Sequence, residues 1–467
     1  VLLEVPTGGG KSLSALVPLA LHLARDHRRA VYSTATITLQ EQLVRKDVPT
    51  VQRALGGPTA GILKGMGRYL CLIKWAELRD RLAAAGGDPH LQAFDRWVAS
   101  TETGDQAELI SAPPWWAEVA ADHSDCLGPA CSAAQACFAL KARERARSAQ
   151  LVITNHHLTM AYLRHRSPVI PDDAAIVFDE AHRLADIATD MFGDAFTSNS
   201  FPVLARRLHG LAPRGDDPLH HMVRTALALH ERFVATLRLR PGQEAAGIPE
   251  AARPAAAALL EACQHIAAAI RARPWDVLRD RSGTSPNDRA AIALRGLENY
   301  MTSLSSAVAP PSGVASWIEP RASGVSVHTA PVDVGAVLGP RLFSGSGPRV
   351  LMSATLSAGG AFDHVRRRLG IHKADEVTVS AVFDYARQMR YYFPSPPLDP
   401  NSPDFTSRVA AELRSLLRAS RGRALVLFTS YTQLREVADS LRDLPYTLIV
   451  QDETTSAAAV ELFRSDV

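Results

Sequence analysis

The run Leu2-Leu3-Glu4-Val5-Pro6-Thr7-Gly8-Gly9-Gly10-Lys11-Ser12, continued by Leu13-Ser14-Ala15-Leu16-Val17-Pro18-Leu19-Ala20, decides the reading of this chain. A short apolar stretch leads into consecutive glycines, then Lys-Ser, then residues at helical spacing. Strand, Gly-rich turn and helix in that order suit a triphosphate. Glycines let backbone N–H groups close on phosphate oxygens, and the helix N-terminus adds its dipole. Lys11 is placed to reach the β- and γ-phosphates, and the Ser12 hydroxyl to hold Mg²⁺. A flexible glycine linker is the competing reading, and the flanking strand and helix argue against it. Val5 stands where the strict G-x-x-x-x-G-K-[ST] pattern has its first glycine, so the reading needs a second phosphate-site motif downstream.

That motif follows Ala174-Ala175-Ile176-Val177-Phe178, an apolar run that ends in Asp179-Glu180-Ala181-His182. A carboxylate at the C-terminal end of a strand, beside a phosphate loop, holds Mg²⁺. Glu180 is then placed to orient and deprotonate an attacking water. An acidic helix N-terminus is the plainer meaning of Asp-Glu. Two phosphate motifs in the right order leave it little room. Further strand candidates are residues 29–36, 60–63 and 151–154, with an N-capped helix from about 39 to 55. Strands alternating with helices indicate a parallel α/β sheet. The Thr34–Thr38 cluster at one strand end reads equally as a ligand loop or a capping turn. Asn155-His156-His157 reads as structural or substrate-facing, because adjacent histidines at a strand end point apart.

The 467 residues exceed one ordinary core and predict two to four domains. Hydrophobic residues at 46% and a mean hydropathy of −0.03 place the chain among soluble globular proteins, with no membrane span or signal peptide legible. The net charge of +3 permits a polyanionic partner without requiring one. Five cysteines, an odd number, argue against a secreted disulfide framework and for the cytoplasm. The first residue is Val and the phosphate loop begins almost at once, which reads as a truncated chain.

Between the two phosphate motifs the α/β rhythm breaks. Residues 67–150 carry Trp75, Trp97, Trp115 and Trp116 together with Cys71, Cys126, Cys131 and Cys137. Four thiolates suit a [4Fe–4S] cluster or a Cys₄ zinc site. The lack of close C-x₂-C knuckles tilts the reading towards iron–sulfur. Cys263 sits alone in an Ala-rich run and reads as core. The run Lys141-Ala142-Arg143-Glu144-Arg145-Ala146-Arg147 puts basic residues along one side of a helix, equally a solvated face or a surface for a phosphodiester backbone.

From about residue 186 to 310 strand signals vanish, and helical runs are predicted at 202–211, 217–239, 249–273 and 288–307. Breaks at Pro213-Arg214-Gly215 and Arg240-Pro241-Gly242 separate them. Paired strands follow at 314–318 and 325–329, then Arg349-Val350-Leu351-Met352 ending in Ser353-Ala354-Thr355-Leu356. Strands are further expected at 391–393, 424–428 and 446–450, in a second α/β unit.

A phosphate loop, Asp-Glu-Ala-His, Ser353-Ala354-Thr355 and four intervening cysteines jointly resemble a superfamily-2 helicase with an iron–sulfur cluster. The match is to the XPD/DinG family and its bacterial DinG-like branch. Residues 151–158, Val382-Phe383-Asp384-Tyr385 and Phe428-Thr429-Ser430-Tyr431 match as well. The resemblance implies a RecA-like motor domain with a parallel sheet, made of residues 1–66, 151–185 and 313–375. It implies an iron–sulfur insertion at 67–150, a helical arch at 186–312 and a partial second RecA-like domain at 376–467. Gly8, Gly9, Gly10, Lys11, Ser12 and His182 would serve ATP, Asp179 and Ser12 would serve Mg²⁺, and Glu180 would activate water. His182 and Ser353 to Thr355 would couple hydrolysis to the DNA strand. Cys71, Cys126, Cys131 and Cys137 would bind the [4Fe–4S] cluster. The implied activity is ATP-dependent 5′ to 3′ translocation by a monomer on single-stranded DNA, at forks, R-loops or D-loops, in repair or replication conflict. A non-catalytic single-strand binder and an RNA-directed ATPase are the rivals. Two family features, an adenine motif before Val1 and the last motifs after Val467, are missing from the sequence, which implies slow hydrolysis and no unwinding.

Overall fold

The computed structural model describes residues 1–26, 28–84, 86–109, 111–123, 126–164, 169–211, 217–237, 245–275, 286–321, 324–451 and 462–465. Eleven strands occur among them: β1 (Leu2–Glu4), β2 (Ala30–Thr34), β3 (Ala60–Ile62), β4 (Leu151–Asn155), β5 (Ala175–Asp179), β6 (Asp194–Thr197), β7 (Ala245–Ala246), β8 (Val314–Arg321), β9 (Gly324–Pro331), β10 (Arg349–Ser353) and β11 (Glu376–Thr378). Seven form one sheet in the order β11-β1-β10-β5-β2-β4-β3, and every pair in it is parallel. The chain divides into two units, 1–382 and 383–467.

Parallel strands need crossovers that cover both faces, and the side-chain alternation shows how each face is filled. Val31, Val152, Ile176, Phe178 and Leu351 point to one face, onto the helices Leu184–Phe192, Val334–Leu342 and Asp363–Leu369. Tyr32, Leu151, Ile153, Ala175, Val177 and Met352 point to the other, onto the helices Lys11–Asp26 and Val48–Leu55. The helix expected near 39–55 is three pieces: Ile37–Gln42, a wider-turn segment Leu43–Asp47, and Val48–Leu55. Pro49 supplies the reason. It has no N–H to return to the preceding turn, so the helix loosens just before it. Thr36 caps the first piece by accepting the Leu39 N–H at 3.3 Å, so the Thr34–Thr38 cluster does the capping job.

The helical region departs from its sequence reading in one respect. Strands β6 and β7 lie inside the span expected to be free of strands, and they complete an antiparallel sheet β6-β9-β8-β7. Ile318, Val325 and Val327 of the β8–β9 hairpin share a core with the helices Ser200–His209, Pro218–Thr236, Arg253–Ala272 and Pro286–Val308. Such short strands carry too little alternation to read alone; they exist because β8 and β9 offer free edges. Cys263 is fully buried in this core, and burial pushes its thiol up to about 12. The breaks at Pro213-Arg214-Gly215 and Arg240-Pro241-Gly242, and the end of the predicted 217–239 helix, lie outside the described residues.

In the second unit the helices Phe405–Ser420 and Tyr431–Leu441 pack through Ala410, Val437 and Leu441, with Arg414 bidentate on Asp443 at 2.6 and 2.8 Å. The strands expected at 391–393, 424–428 and 446–450 are not formed among the described residues. A strand needs a ladder partner, and none pairs with these runs here. Leu425 and Leu427 are accordingly 76% and 83% exposed.

Candidate active site

Register brings the site together. Glu4 lies opposite Ser353, and Met352 opposite Asp179, so β1, β10 and β5 end at the same edge of the sheet. Alternation along β5 turns Asp179 to the face of Ala175 and Val177, the face covered by the helix Lys11–Asp26. The phosphate loop and the acidic motif are therefore neighbours although 169 residues separate Lys11 from Glu180.

The loop needs its glycines for two reasons. Gly8 and Gly10 adopt φ of 82° and 79°, which side chains resist. A Cβ on Gly9 would stand 2.8 Å from the Val5 Cγ1 and 3.0 Å from the Pro6 carbonyl. Val5 is buried beneath the loop, so the residue that departs from the strict motif is its packing floor.

Lys11 Nζ donates to Glu180 Oε1 at 2.7 Å. Glu180 adopts φ 57°, a left-handed conformation costly for a side chain other than glycine and held here by the surrounding contacts. The Ser353 hydroxyl lies between His182 Nδ1 at 2.7 Å and Glu180 Oε2 at 3.3 Å, and accepts the Thr355 N–H at 3.3 Å. The motif residues 180, 182, 353 and 355 thus form one continuous hydrogen-bonded chain.

Asp179 is buried. Its Oδ1 accepts the Glu180 N–H at 3.0 Å and its Oδ2 the Tyr32 hydroxyl at 3.4 Å. Burial first, then the neighbouring Glu180 carboxylate, push its pKa up to about 6, against the pull of Lys11. Ser12 also lies beside the Tyr32 phenol, so both groups expected to hold Mg²⁺ neighbour one side chain. A carboxylate crowded by burial and a like charge, facing a serine hydroxyl, fits a divalent cation.

Sequence reasoning missed two supports, Glu4 and Tyr32, and read a third, His156, as structural or substrate-facing without its partners. Glu4 accepts the N–H groups of Leu356 and Ser357 at 2.7 and 2.6 Å and the Ser357 hydroxyl at 2.9 Å, fastening β1 to the end of β10. Burial works to raise its carboxyl, but these hydrogen bonds outweigh it and hold the pKa below the ordinary value. Tyr32 lies on β2 opposite Val177 of β5, so register and alternation turn it to the same face as Asp179. His156 is fully buried, and burial drives its pKa down to about 3, so it is neutral. Its Nε2–H donates to the Asp179 carbonyl at 2.8 Å and its Nδ1 accepts from Ser33 at 2.8 Å, so it fixes the end of β5.

The cysteines lie apart from this edge. Leu70 bridges Ala120, and Cys71 N–H donates to the Val119 carbonyl at 2.8 Å just before the helix Leu72–Ala84. Cys137 caps the helix Phe138–Ser148, and Cys131 follows a short turn at Gly128–Ala130. Trp75, Phe94, Trp115 and Trp116 pack beneath, with Trp75 4.7 Å from Phe94 and 5.6 Å from Trp115 between ring centroids. Lys64 at the end of β3 ties the insertion to the sheet through Asp105 at 2.7 Å. All four thiols line one cavity floored by Met66, Leu72, Ile73 and Leu127. Burial, then Asp288, Cys137 and Cys126, raise the Cys131 thiol. Among the described residues no three His, Cys, Asp or Glu side chains converge on a point that would ligate a single ion. Four thiols spread around one apolar cavity fit a cluster that carries its own iron and sulfide better than a lone zinc. On the helix Phe138–Ser148, Lys141, Arg145 and Arg147 are exposed, whereas Arg143 turns in to Met66 at 2.8 Å.

No protein-family model matches the chain. It is 28% identical over 488 residues to the ATP-dependent DNA helicase YoaA of Escherichia coli (strain K12), covering 100% of this chain and 74% of that protein. It is 29% identical over 504 residues to the ATP-dependent helicase DinG of Mycobacterium tuberculosis (strain H37Rv), with 100% and 74% covered. Among solved structures it is similar to an XPD helicase, with a TM-score of 0.50 and 14% identity, over 95% of this chain and 71% of that one. That likeness concerns the fold alone.

Proposed function

We propose that this chain, which belongs to the DinG/XPD-like family of ATP-dependent helicases, moves 5′ to 3′ along single-stranded DNA and drives that motion by hydrolysing ATP. The observation that carries the reading is the Lys11–Glu180 pair, joined through Ser353 to His182 and Thr355. A γ-phosphate reaching Lys11 offers the ammonium a second anionic partner and frees Glu180 to act on water. That change of partner passes along the Ser353 hydroxyl to His182, in the turn after β5, and to the Thr355 N–H, in the loop after β10. The same chain of contacts therefore couples phosphate occupancy to the segment assigned to DNA. Gly8 and Gly10 would present backbone N–H groups to the phosphates, Gly9 shapes the turn by donating its own N–H to the Pro6 carbonyl at 3.0 Å, and Lys11 would neutralise the phosphates.

Ser12 and Asp179 would hold Mg²⁺, which supplies charge neutralisation on the phosphate oxygens. Cys71, Cys126, Cys131 and Cys137 would hold a [4Fe–4S] cluster, which ties four separate stretches of the insertion together. Single-stranded DNA in forks, R-loops or D-loops is the substrate proposed, with repair or replication conflict as the setting, the cytoplasm as the compartment and a monomer as the working form. No helix among the described residues is long and apolar enough to cross a membrane.

The test is ATPase activity with and without single-stranded DNA, alongside strand displacement on forks with 5′ or 3′ tails. Slow hydrolysis that single-stranded DNA stimulates is expected, with little duplex displaced by residues 1–467 and any displacement starting from the 5′ tail. Hydrolysis indifferent to DNA, or displacement from the 3′ tail alone, overturns the proposal.

A further inference from the structure

We propose that the helix Pro286–Val308 is part of the cysteine site: it grips the Cys126–Cys131 loop and, through Asp288, holds a negative charge against the group bound there. The inference rests on reading the four cysteines as a [4Fe–4S] site.

Four residues of that helix carry it. Asp288 is only 7% exposed, and its Oδ2 accepts the Ser132 N–H at 2.9 Å, directly after Cys131. Ile292 lines the cavity with the four thiols. Arg295 donates to the Cys126 carbonyl. Arg289 pairs at 3.0 Å with Glu77, on the helix that Cys71 opens. Residues 288, 292 and 295 follow helical spacing, so one stripe of the helix faces the site. These partners are more than 150 residues apart in sequence, so the stripe is made by the fold.

The chemistry follows from what each group does. Backbone N–H groups beside cluster sulfurs favour the reduced, more negative state, and nearby carboxylates oppose it. Asp288 acts twice in the same direction: it occupies the Ser132 N–H and adds its own charge. Ile292 covers part of the cavity, and Arg295 fastens the Cys126 end of the loop to the helix. The helix thereby makes retention and potential of the group depend on the helical unit as well as on the cysteine loop.

The experiment compares wild-type protein with Asp288→Asn, Asp288→Ala, Arg295→Met and, as control on the same helix, Glu298→Gln, all purified anaerobically. Iron per chain, midpoint potential and the rate of bleaching in air are measured. Asp288→Asn keeps an acceptor for Ser132, so iron should stay, while loss of the charge moves the redox equilibrium towards the reduced form by about threefold or more. Asp288→Ala and Arg295→Met should bleach at least about threefold faster than wild type, and Glu298→Gln should match it. Iron-loaded wild type with all variants indistinguishable from it, or an Asp288→Asn potential that falls, overturns this inference and leaves the cluster reading standing. Wild-type protein with stoichiometric zinc and no iron overturns the cluster reading, and this inference with it.

Discussion

The sheet edge and the cysteine insertion are built in opposite ways. At the edge, Glu4, Asp179 and Ser353 are each the last residue of a parallel strand, and register aligns them before any side chain interacts. Among the described residues of the insertion no ladder sets the four cysteines; short helices, two isolated bridges and an aromatic cluster do. Parallel ladders are rigid because every backbone group has a partner, so a site on them is preorganised. Loop-borne ligands are ordered largely by what they bind. The first site should therefore survive loss of its chemistry, and the second should not survive loss of its ligands.

Glu180→Gln gives the sharpest contrast. It keeps shape and Mg²⁺·ATP binding but removes the base, so turnover should fall by about 10²–10⁴-fold with the fold intact. Hydrolysis at the wild-type rate in a steady-state assay would remove Glu180 from its role.

Cys131→Ser should do the reverse. Iron is lost and proteolysis within residues 67–137 should quicken by about tenfold or more, while Mg²⁺·ATP affinity stays within about twofold. Limited digestion followed by nucleotide titration checks it. Collapse of nucleotide binding would show that the two regions are not separately built.

The acidic pair adds a pH dependence. The pKa of Asp179 is raised to about 6 from 3.8, so this group favours the fold at low pH and that contribution is lost as pH rises through about 6. Mg²⁺ needs the carboxylate, so its affinity should weaken by up to about tenfold per unit as pH falls below 6. The thermal shift caused by Mg²⁺·ATP should grow from pH 5 to 7, and Asp179→Asn should flatten that rise.

The smallest effect belongs to the joint between the regions. Lys64→Met leaves Asp105 without its 2.7 Å partner and should cost about 1–3 kcal/mol. Hydrogen exchange should report the loss in the insertion and leave β4 and β5 unchanged. Faster exchange in the strands would mean that the joint supports the sheet too.

Local patterns in the sequence were enough to read the Gly-rich turn between strand and helix, the acidic end of β5, the alternation of strands and helices, and the gathering of four cysteines in one insertion. Each depends on residues close together in the chain: glycines that allow positive φ, apolar runs of strand length, a carboxylate directly after one of them. The fold alone decided what joins distant residues. Nothing in the spacing of Lys11 and Glu180, His156 and the Asp179 carbonyl, or Asp288 and Ser132 announces that they meet. Strands β6 and β7 are the same case, since so short a segment becomes a strand only when a neighbouring edge supplies its hydrogen bonds. Residues 424–428 are the converse: a run apolar enough to read as a strand stays outside any ladder in this structure, because pairing is a property of two segments and sequence pattern describes one.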